Sequence, residues 1–378
     1  MTNKLTSIGV TSFRGIQNLM VENLGDVNIV TGSNNSGKTS FLEAMMMLSA
    51  PESLDNAIRV AKLRENVKYR TPFSRNRLVS YQLFSYLFNK KNEKLKIEID
   101  GKYGAVHVDL KIEGEFQKIL LDEYMIKDLL NNSRYSRSKF NEIESLEEEV
   151  ETFVGEHSYM LNDKEGIRYE TKLNFNKYSL DDILRSGGRN KPIVKYNFIS
   201  SIDHIINDSI NLVIKSREFK KEVVEILTVF DEDIEDLVII KDDDRYIHCI
   251  QSKSNGLMPL SIYGDGIKKV IALAAGIISS KDGILLVDEI ETSIHKTIMP
   301  RIFHWLIESC RDFSVQLFLT THSLEVVDEI LNANPSAVER DFLRIVTLKK
   351  NDTKTIARVL TGREAMKLRN NFDMELRG

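Results

Sequence analysis

The chain has 378 residues, 42% hydrophobic and 29% charged, which is enough apolar content for a large core and unlike disordered or collagen-like compositions. Its 52 basic and 56 acidic residues leave a formal charge of −4, which excludes a generic polyanion binder, and two cysteines are too few for a disulfide framework or a cysteine-based zinc site. The longest apolar run, Val270 to Ile278, falls short of the roughly 20 residues of a membrane span, and the first residues lack a signal peptide's apolar core, so a cytoplasmic protein without membrane association is expected.

In chain order, residues 5–13 and 27–31 read as strands, the second running into a glycine turn at Gly32. Phe41 to Leu48 reads as a helix. Its Met45-Met46-Met47 run cannot share one helical face, so the helix is expected to be buried on most sides. Residues 94–99 and 105–112 predict a hairpin across Asp100-Gly101 and Gly104. In 117–155, Ile143, Leu146, Val150 and Phe153 recur at helical spacing, with Glu142, Glu144, Glu147, Glu148, Glu149 and Glu151 between them, which predicts a helix with a solvated acidic face. Arg185 to Pro192 is a turn-rich connector, and 200–229 is helical in pattern. Strands 237–240 and 246–251 flank Asp242-Asp243-Asp244, read as a charged hairpin tip in preference to a metal site. Helix 266–278, strand 284–288, helix 297–310, strand 315–320 and helix 323–332 then alternate as in a parallel sheet with helical crossovers. The expected organisation is a discontinuous α/β domain, 1–115 with 230–378, interrupted by a mostly helical insertion, 116–229, available for dimerisation or partner binding.

Gly32-Ser-Asn-Asn-Ser-Gly-Lys-Thr39 fits the phosphate-loop pattern in the strand–loop–helix context that the chemistry demands. Its glycines let the backbone wrap phosphates, and successive N–H groups and the positive end of the next helix face the anion. Asn34, Asn35, Ser36, Gly37, Lys38, Thr39 and Ser40 are therefore candidate nucleotide-binding residues, with Lys38 on the β and γ phosphates and the Thr39 hydroxyl on Mg²⁺. Ile284-Leu-Leu-Val-Asp288-Glu289 is an apolar strand ending in two carboxylates. Asp288 suits the Mg²⁺ shell and Glu289 the attacking water. Leu317 to Ser323 is a third strand, whose His322 comes 34 residues after Asp288, where a neighbouring strand would end beside a γ-phosphate. Ser261, Gly264 and Gly266 precede a helix and form a second arrangement suited to an anion.

This order of motifs, with Lys38 and Asp288 250 residues apart, resembles the ABC-type ATPases, in particular their SMC and OLD-like branch. The resemblance rests on Phe13-Arg14-Gly15, the phosphate loop, Ser261 to Gly266 as signature motif, Asp288-Glu289 as Walker B and His322 as the switch histidine. It covers both ends of the chain and implies a P-loop NTPase head, ATP with Mg²⁺, catalytic roles for Lys38, Glu289 and His322, and nucleotide contacts by Arg14. It also implies a homodimer or higher homo-oligomer in which the signature of one copy completes the ATP site of the other. The stretch Thr361 to Arg369 with Glu375-Leu-Arg377 resembles the tail of small bacterial ATPases from phage-defence operons. The signature reads Leu-Ser-Ile-Tyr-Gly-Asp-Gly where transporters have Leu-Ser-Gly-Gly-Gln, no glutamine of a Q-loop is identifiable, and no Toprim nuclease domain is expected after His322.

The implied function is an ATP-hydrolysing sensor or DNA-associated ATPase of bacterial anti-phage defence, acting with a separately encoded nuclease or toxin. A nucleotide-gated scaffold with slow turnover is a second reading, and a DNA repair or chromosome-maintenance ATPase a third. Arg59, Lys62, Arg64, Lys68, Arg70, Arg75 and Arg77, opposed only by Glu65, could contact nucleic acid, dock a partner or form plain solvated surface.

Overall fold

The computed structural model describes residues 4–64, 78–90, 94–122, 147–162, 166–176, 192–201, 210–242, 245–339, 341–351 and 354–372. The strands are β1 (Leu5–Phe13), β2 (Ile16–Val21), β3 (Val27–Thr31), β4 (Leu95–Tyr103), β5 (Val106–Asp122), β6 (Glu147–Asn162), β7 (Ile167–Asn176), β8 (Tyr196–Ile199), β9 (Ile234–Asp242), β10 (Arg245–Ser252), β11 (Gly256–Pro259), β12 (Ile284–Val287), β13 (Gln316–Thr320), β14 (Leu343–Lys350) and β15 (Thr355–Thr361). The helices are α1 (Lys38–Ser49), α2 (Leu54–Lys62), α3 (Leu78–Ser85), α4 (Ile210–Lys215), α5 (Arg217–Leu227), α6 (Asp265–Ser279), α7 (Met299–Asp312), α8 (Leu324–Ala333), α9 (Pro335–Glu339) and α10 (Gly362–Phe372).

One six-stranded sheet runs β15-β14-β3-β13-β12-β8, parallel except at β15. A parallel sheet is covered on both faces, so its strands are continuous apolar runs, and β3, β12 and β13 are buried at every position. Alternate residues serve two cores. Val27, Ile29, Leu285, Val287, Leu317 and Leu319 pack with α6, α7 and α8, while Val30, Leu286 and Phe318 pack with α1 and the second sheet. That second sheet, β2-β1-β4-β5-β6-β7, is antiparallel throughout. Helix α1 lies between the two sheets, which is why Met45, Met46 and Met47 are all buried, as expected for a helix with no polar face. A small meander, β11-β10-β9, leads into α6.

The α/β P-loop architecture agrees with the sequence reading, but the character of its middle does not. The described part of 116–229 is strand first and helix later: β5 runs through residue 116, β6 and β7 follow, and only α4 and α5 are helical. The acidic run is not a helix face; its described residues belong to β6. There Val150 pairs with Ile119 and Thr152 with Gln117, while the Glu149 carboxylate meets Lys118 Nζ diagonally across the ladder at 3.0 Å. Phe153 packs edge-on to Phe84 at 5.3 Å between ring centroids, a contact better suited to a sheet than to a solvated helix. The segment is not separable either, because β8 is the edge strand beside β12, and Ile210, Val213, Phe219 and Val223 share the core of α6. Ile143, Leu146, Glu142 and Glu144 lie outside the described residues.

One smaller correction is local. The β4–β5 turn is at Gly104 alone, at φ 60°, and Asp100-Gly101 lie within β4. A Cβ at Gly101 would sit 2.9 Å from the Ser7 carbonyl oxygen of the neighbouring strand and 2.5 Å from Leu48 Cδ2 of α1, which favours glycine there. At the C-terminal end, Thr361 and Glu364 form a reciprocal cap on α10. The Glu364 carboxylate accepts from Thr361 N at 2.8 Å, and Thr361 Oγ1 accepts from Glu364 N at 3.2 Å. Arg369 then clamps Asp328 of α8 through two bonds of 2.8 and 2.6 Å.

Candidate functional site

Strand order places the three sequence-predicted motifs side by side: β3 feeds the phosphate loop, β12 ends at Asp288, and β13 lies between them. The loop can be tight because its glycines occupy positions closed to other residues. Gly32 has φ 147°, and a Cβ there would meet the Leu348 carbonyl at 2.3 Å; Gly37 has φ 101° at the start of α1. Asn35 also takes a left-handed conformation, φ 62°, which asparagine tolerates better than most residues. With α1 starting at Lys38, its unpaired N–H groups and positive dipole end face the loop. Lys38 Nζ donates to the carbonyls of Gly32 at 2.9 Å and Ser33 at 3.0 Å. Burial lowers its pKa, while Asp288, Glu289 and Glu291 pull it back up, so the cation sits in an acidic surround.

Asp288 and Thr39, 249 positions apart in sequence, meet directly: Thr39 Oγ1 donates to Asp288 Oδ2 at 2.9 Å. The aspartate is oriented from behind by Thr320 of β13, whose hydroxyl donates to Asp288 Oδ1 at 2.6 Å and accepts from Glu289 N at 2.8 Å. Asp288 N donates to the Ile199 carbonyl of β8 at 2.8 Å, so both flanking strands hold the turn. Glu289 follows at φ 47°, a left-handed geometry that a β-branched residue would resist. Thr39 and Asp288 together present a hydroxyl and a carboxylate oxygen, a donor set that would suit the oxygen-only preference of Mg²⁺.

An open cleft of about 970 Å³ joins these groups, lined by Arg14, Gly15, Asn34 to Ser40, Arg64, Tyr86, Phe88, Asp288, Glu289 and Lys350. Arg14 lines it but is already engaged. Its Nε lies 2.8 Å from Glu43 Oε2, its Nη2 donates to the Val60 carbonyl at 3.2 Å, and its guanidinium stands 5.8 Å from the Phe13 ring centroid. Burial pulls its pKa down to about 10. Glu43 is shared with Arg64, whose Nε donates to Oε1 at 2.8 Å and whose Nη2 donates to Ser40 Oγ at 2.8 Å. Sequence reasoning passed over this cluster, although a lone carboxylate inside the apolar run Phe41 to Leu48 signals a buried ion pair. It also missed Thr320, Glu291, Tyr86 and Lys350. Of the basic stretch, Arg64 is spent on Glu43 and Arg59 on Asp55 at 2.8 Å, while Lys68, Arg70, Arg75 and Arg77 lie outside the described residues.

His322 and the signature residues are not among the described lining of this cleft. His322 Nδ1 stands 3.1 Å from Glu291 Oε1, and the same oxygen accepts from Thr321 Oγ1 at 2.8 Å, so Glu291 ties the turn after β12 to the turn after β13. The His322 side chain is 56% exposed. Ser261 and Gly264 are exposed on the turn into α6, with Gly264 as the residue before its first turn. Gly266 is confined instead: a Cβ there would come within 2.6 Å of the Phe230 ring. Among the described residues, no cluster of three His, Cys, Asp or Glu side chains could hold a metal. Asp242 and Arg245 pair where β9 ends and β10 begins, and Asp243 and Asp244 lie outside the described residues. No described helix is long and apolar enough to cross a membrane.

The family profile described as "AAA domain, putative AbiEii toxin, Type IV TA system" matches residues 27–328. The chain is similar to an ATP/GTP phosphatase of Helicobacter pylori (strain ATCC 700392 / 26695), 22% identical over 95% of this chain and 96% of that one. An uncharacterized protein of Methanocaldococcus jannaschii is 30% identical over 38% of this chain and 72% of that one. Among solved structures, an SMC head bound to the C-winged helix domain of ScpA is similar at 12% identity, covering 96% of this chain and 99% of that chain, with a TM-score of 0.49. The Pyrococcus furiosus SMC head with an extended coiled coil, bound to the C-terminal domain of ScpA, covers 98% and 99% at 12% identity, with a TM-score of 0.47.

Proposed function

Since the chain belongs to this AAA-domain family and is a P-loop ATPase, we propose that it binds ATP with Mg²⁺ in the cleft between Lys38 and Asp288 and hydrolyses it between two copies of itself. The observation that carries the reading is the direct bond of Thr39 to Asp288 at 2.9 Å beside the phosphate loop. The loop N–H groups of Asn34 to Thr39 receive the phosphates, and Lys38 exchanges its two carbonyl partners for β and γ oxygens. Thr39 and Asp288 would hold Mg²⁺, which neutralises developing charge on the phosphates. The Glu289 carboxylate orients the attacking water and accepts its proton, with Thr320 fixing the peptide from which Glu289 projects. Ser261, Gly264 and Gly266 have no task in their own cleft. On a facing copy they would present an N–H-rich helix start to the γ-phosphate, and His322 would reach the same oxygen. The Helicobacter relative's designation, ATP/GTP phosphatase, supports triphosphate hydrolysis.

In the cell, this reading makes the protein the cytoplasmic regulatory subunit of a bacterial anti-phage defence system with a separately encoded nuclease or toxin. The family description, which names a toxin and a type IV toxin–antitoxin system, supports that assignment. DNA and partner contacts would fall to surfaces outside the cleft. The chemistry is tested by Lys38→Ala, which should lose nucleotide binding, against Glu289→Gln, which should bind ATP and fail to release phosphate; near-normal turnover in Glu289→Gln would falsify the assignment of the base. The cellular role is tested by the neighbouring reading frame, where a nuclease or toxin gene is expected.

A further inference from the structure

The cleft holds more than a triphosphate needs. At about 970 Å³ it lies at the upper end of the range for whole small-molecule ligands, and once Asn34 to Thr39, Asp288 and Glu289 are assigned to phosphate and metal, Arg14, Gly15, Arg64, Tyr86, Phe88 and Lys350 remain. Within that remainder Tyr86 stands out. Helix α3 continues into a turn, with Tyr86 N bonded to Leu83 O at 3.0 Å and Leu87 N to Phe84 O at 3.1 Å. On this turn Phe84, Leu87 and Phe88 are buried in the aromatic core with Phe153, whereas Tyr86 is 54% exposed although it sits between them in sequence. Tyr86 therefore presents an aromatic surface to an otherwise polar cleft.

The turn is also held in place. The Leu87 carbonyl accepts from Arg14 N at 2.8 Å, which fixes it against the β1–β2 turn on the same cleft wall. Gly15 of that turn also lines the cleft. Lys90 Nζ stands 4.5 Å from the centroid of the Tyr86 ring, a cation–π contact that restrains the ring's orientation.

We propose that Tyr86 is the platform on which the nucleobase stacks, an assignment that rests on the cleft being the ATP site. Stacking on one ring reads a base's π-face and not its hydrogen-bonding edge, so adenine and guanine gain similarly from it. Base-free tripolyphosphate gains nothing.

The test is equilibrium binding of ATP, GTP and inorganic tripolyphosphate to the full chain, comparing wild type, Tyr86→Ala, Tyr86→Trp and Lys38→Ala. Tyr86→Ala should weaken ATP and GTP by about ten-fold each, and leave tripolyphosphate within about two-fold. Tyr86→Trp should restore both nucleotides, which separates a lost ring from a disturbed fold. Unchanged ATP affinity in Tyr86→Ala overturns the proposal, as does an equal loss for tripolyphosphate or a Tyr86→Trp variant as weak as the alanine. Those results leave the ATP site standing as long as Lys38→Ala abolishes binding. Wild-type protein that binds no nucleotide, or Lys38→Ala that binds it normally, removes both readings together.

Discussion

Thr320 is the residue whose loss isolates the geometry of the acidic turn from its charges. It is fully buried, and its hydroxyl does two things at once, donating to Asp288 Oδ1 at 2.6 Å and accepting from Glu289 N at 2.8 Å. Thr320→Val keeps the branched shape and removes both bonds. The partly buried Glu289 N–H is then left without its acceptor, a loss of about 0.5–1.5 kcal/mol. Asp288 loses the partner that orients it toward Thr39, and removing such a supporting contact typically costs about 10–100-fold in metal affinity or activity. Steady-state phosphate release should therefore fall by that factor in kcat, with metal-free ATP affinity unchanged because no phosphate-loop residue is touched. Urea denaturation should show the stability loss independently. Thr320→Ser, which retains the hydroxyl, should recover most of the turnover. A Thr320→Val enzyme within about two-fold of wild-type kcat, or a serine variant as impaired as the valine, would refute the reasoning.

Ser261→Arg should bind ATP normally and hydrolyse none, and mixing it with Lys38→Ala should restore part of the turnover through one intact composite site. If mixed dimers form and stay inactive, completion of the site by a second copy is wrong or the two sites are strictly coupled. Glu43→Gln should destabilise the fold by about 3–5 kcal/mol in denaturant titration, because Arg14, 8% exposed, loses its buried counter-ion. Arg64→Leu should cost about 1 kcal/mol or less, since Arg64 is 45% exposed; the reverse order of the two losses would show that Arg14 is not held by Glu43.

The parts of the molecule readable from sequence were those where one local rule dominates. Gly32 and Gly37 mark backbone that only glycine adopts easily, and the alternation of 266–332 leaves little but a parallel sheet. The burial of three consecutive methionines followed from the impossibility of their sharing a face. Residues 147–153 misled for a physical reason: Val150 and Phe153 are both buried although they project from opposite faces of β6, so the strand lost its period of two and imitated a helical interval. The glutamates between them then resembled a solvated helix, whereas Lys118 across the ladder answers Glu149. The Glu43–Arg14–Arg64 cluster and Thr320 depend on contacts between distant segments, which no window of sequence contains. Tyr86 differs from its buried neighbours Phe84 and Phe88 only in where the fold turns it.

Because β8 pairs with β12 and its last carbonyl receives the Asp288 N–H, the segment 116–229 also supplies the selvedge of the sheet that carries Asp288. Trimming residues 116–229 to a short linker would not yield a minimal ATPase. It would strip a row of backbone partners from the strand that carries Asp288, and a bare, flat, apolar margin of that kind invites another chain to pair with it. Any insertion, tag or circular permutation meant to spare catalysis should therefore leave 196–199 in place. Grafting this middle between related chains would transplant a piece of the catalytic sheet together with whatever partner surface it carries.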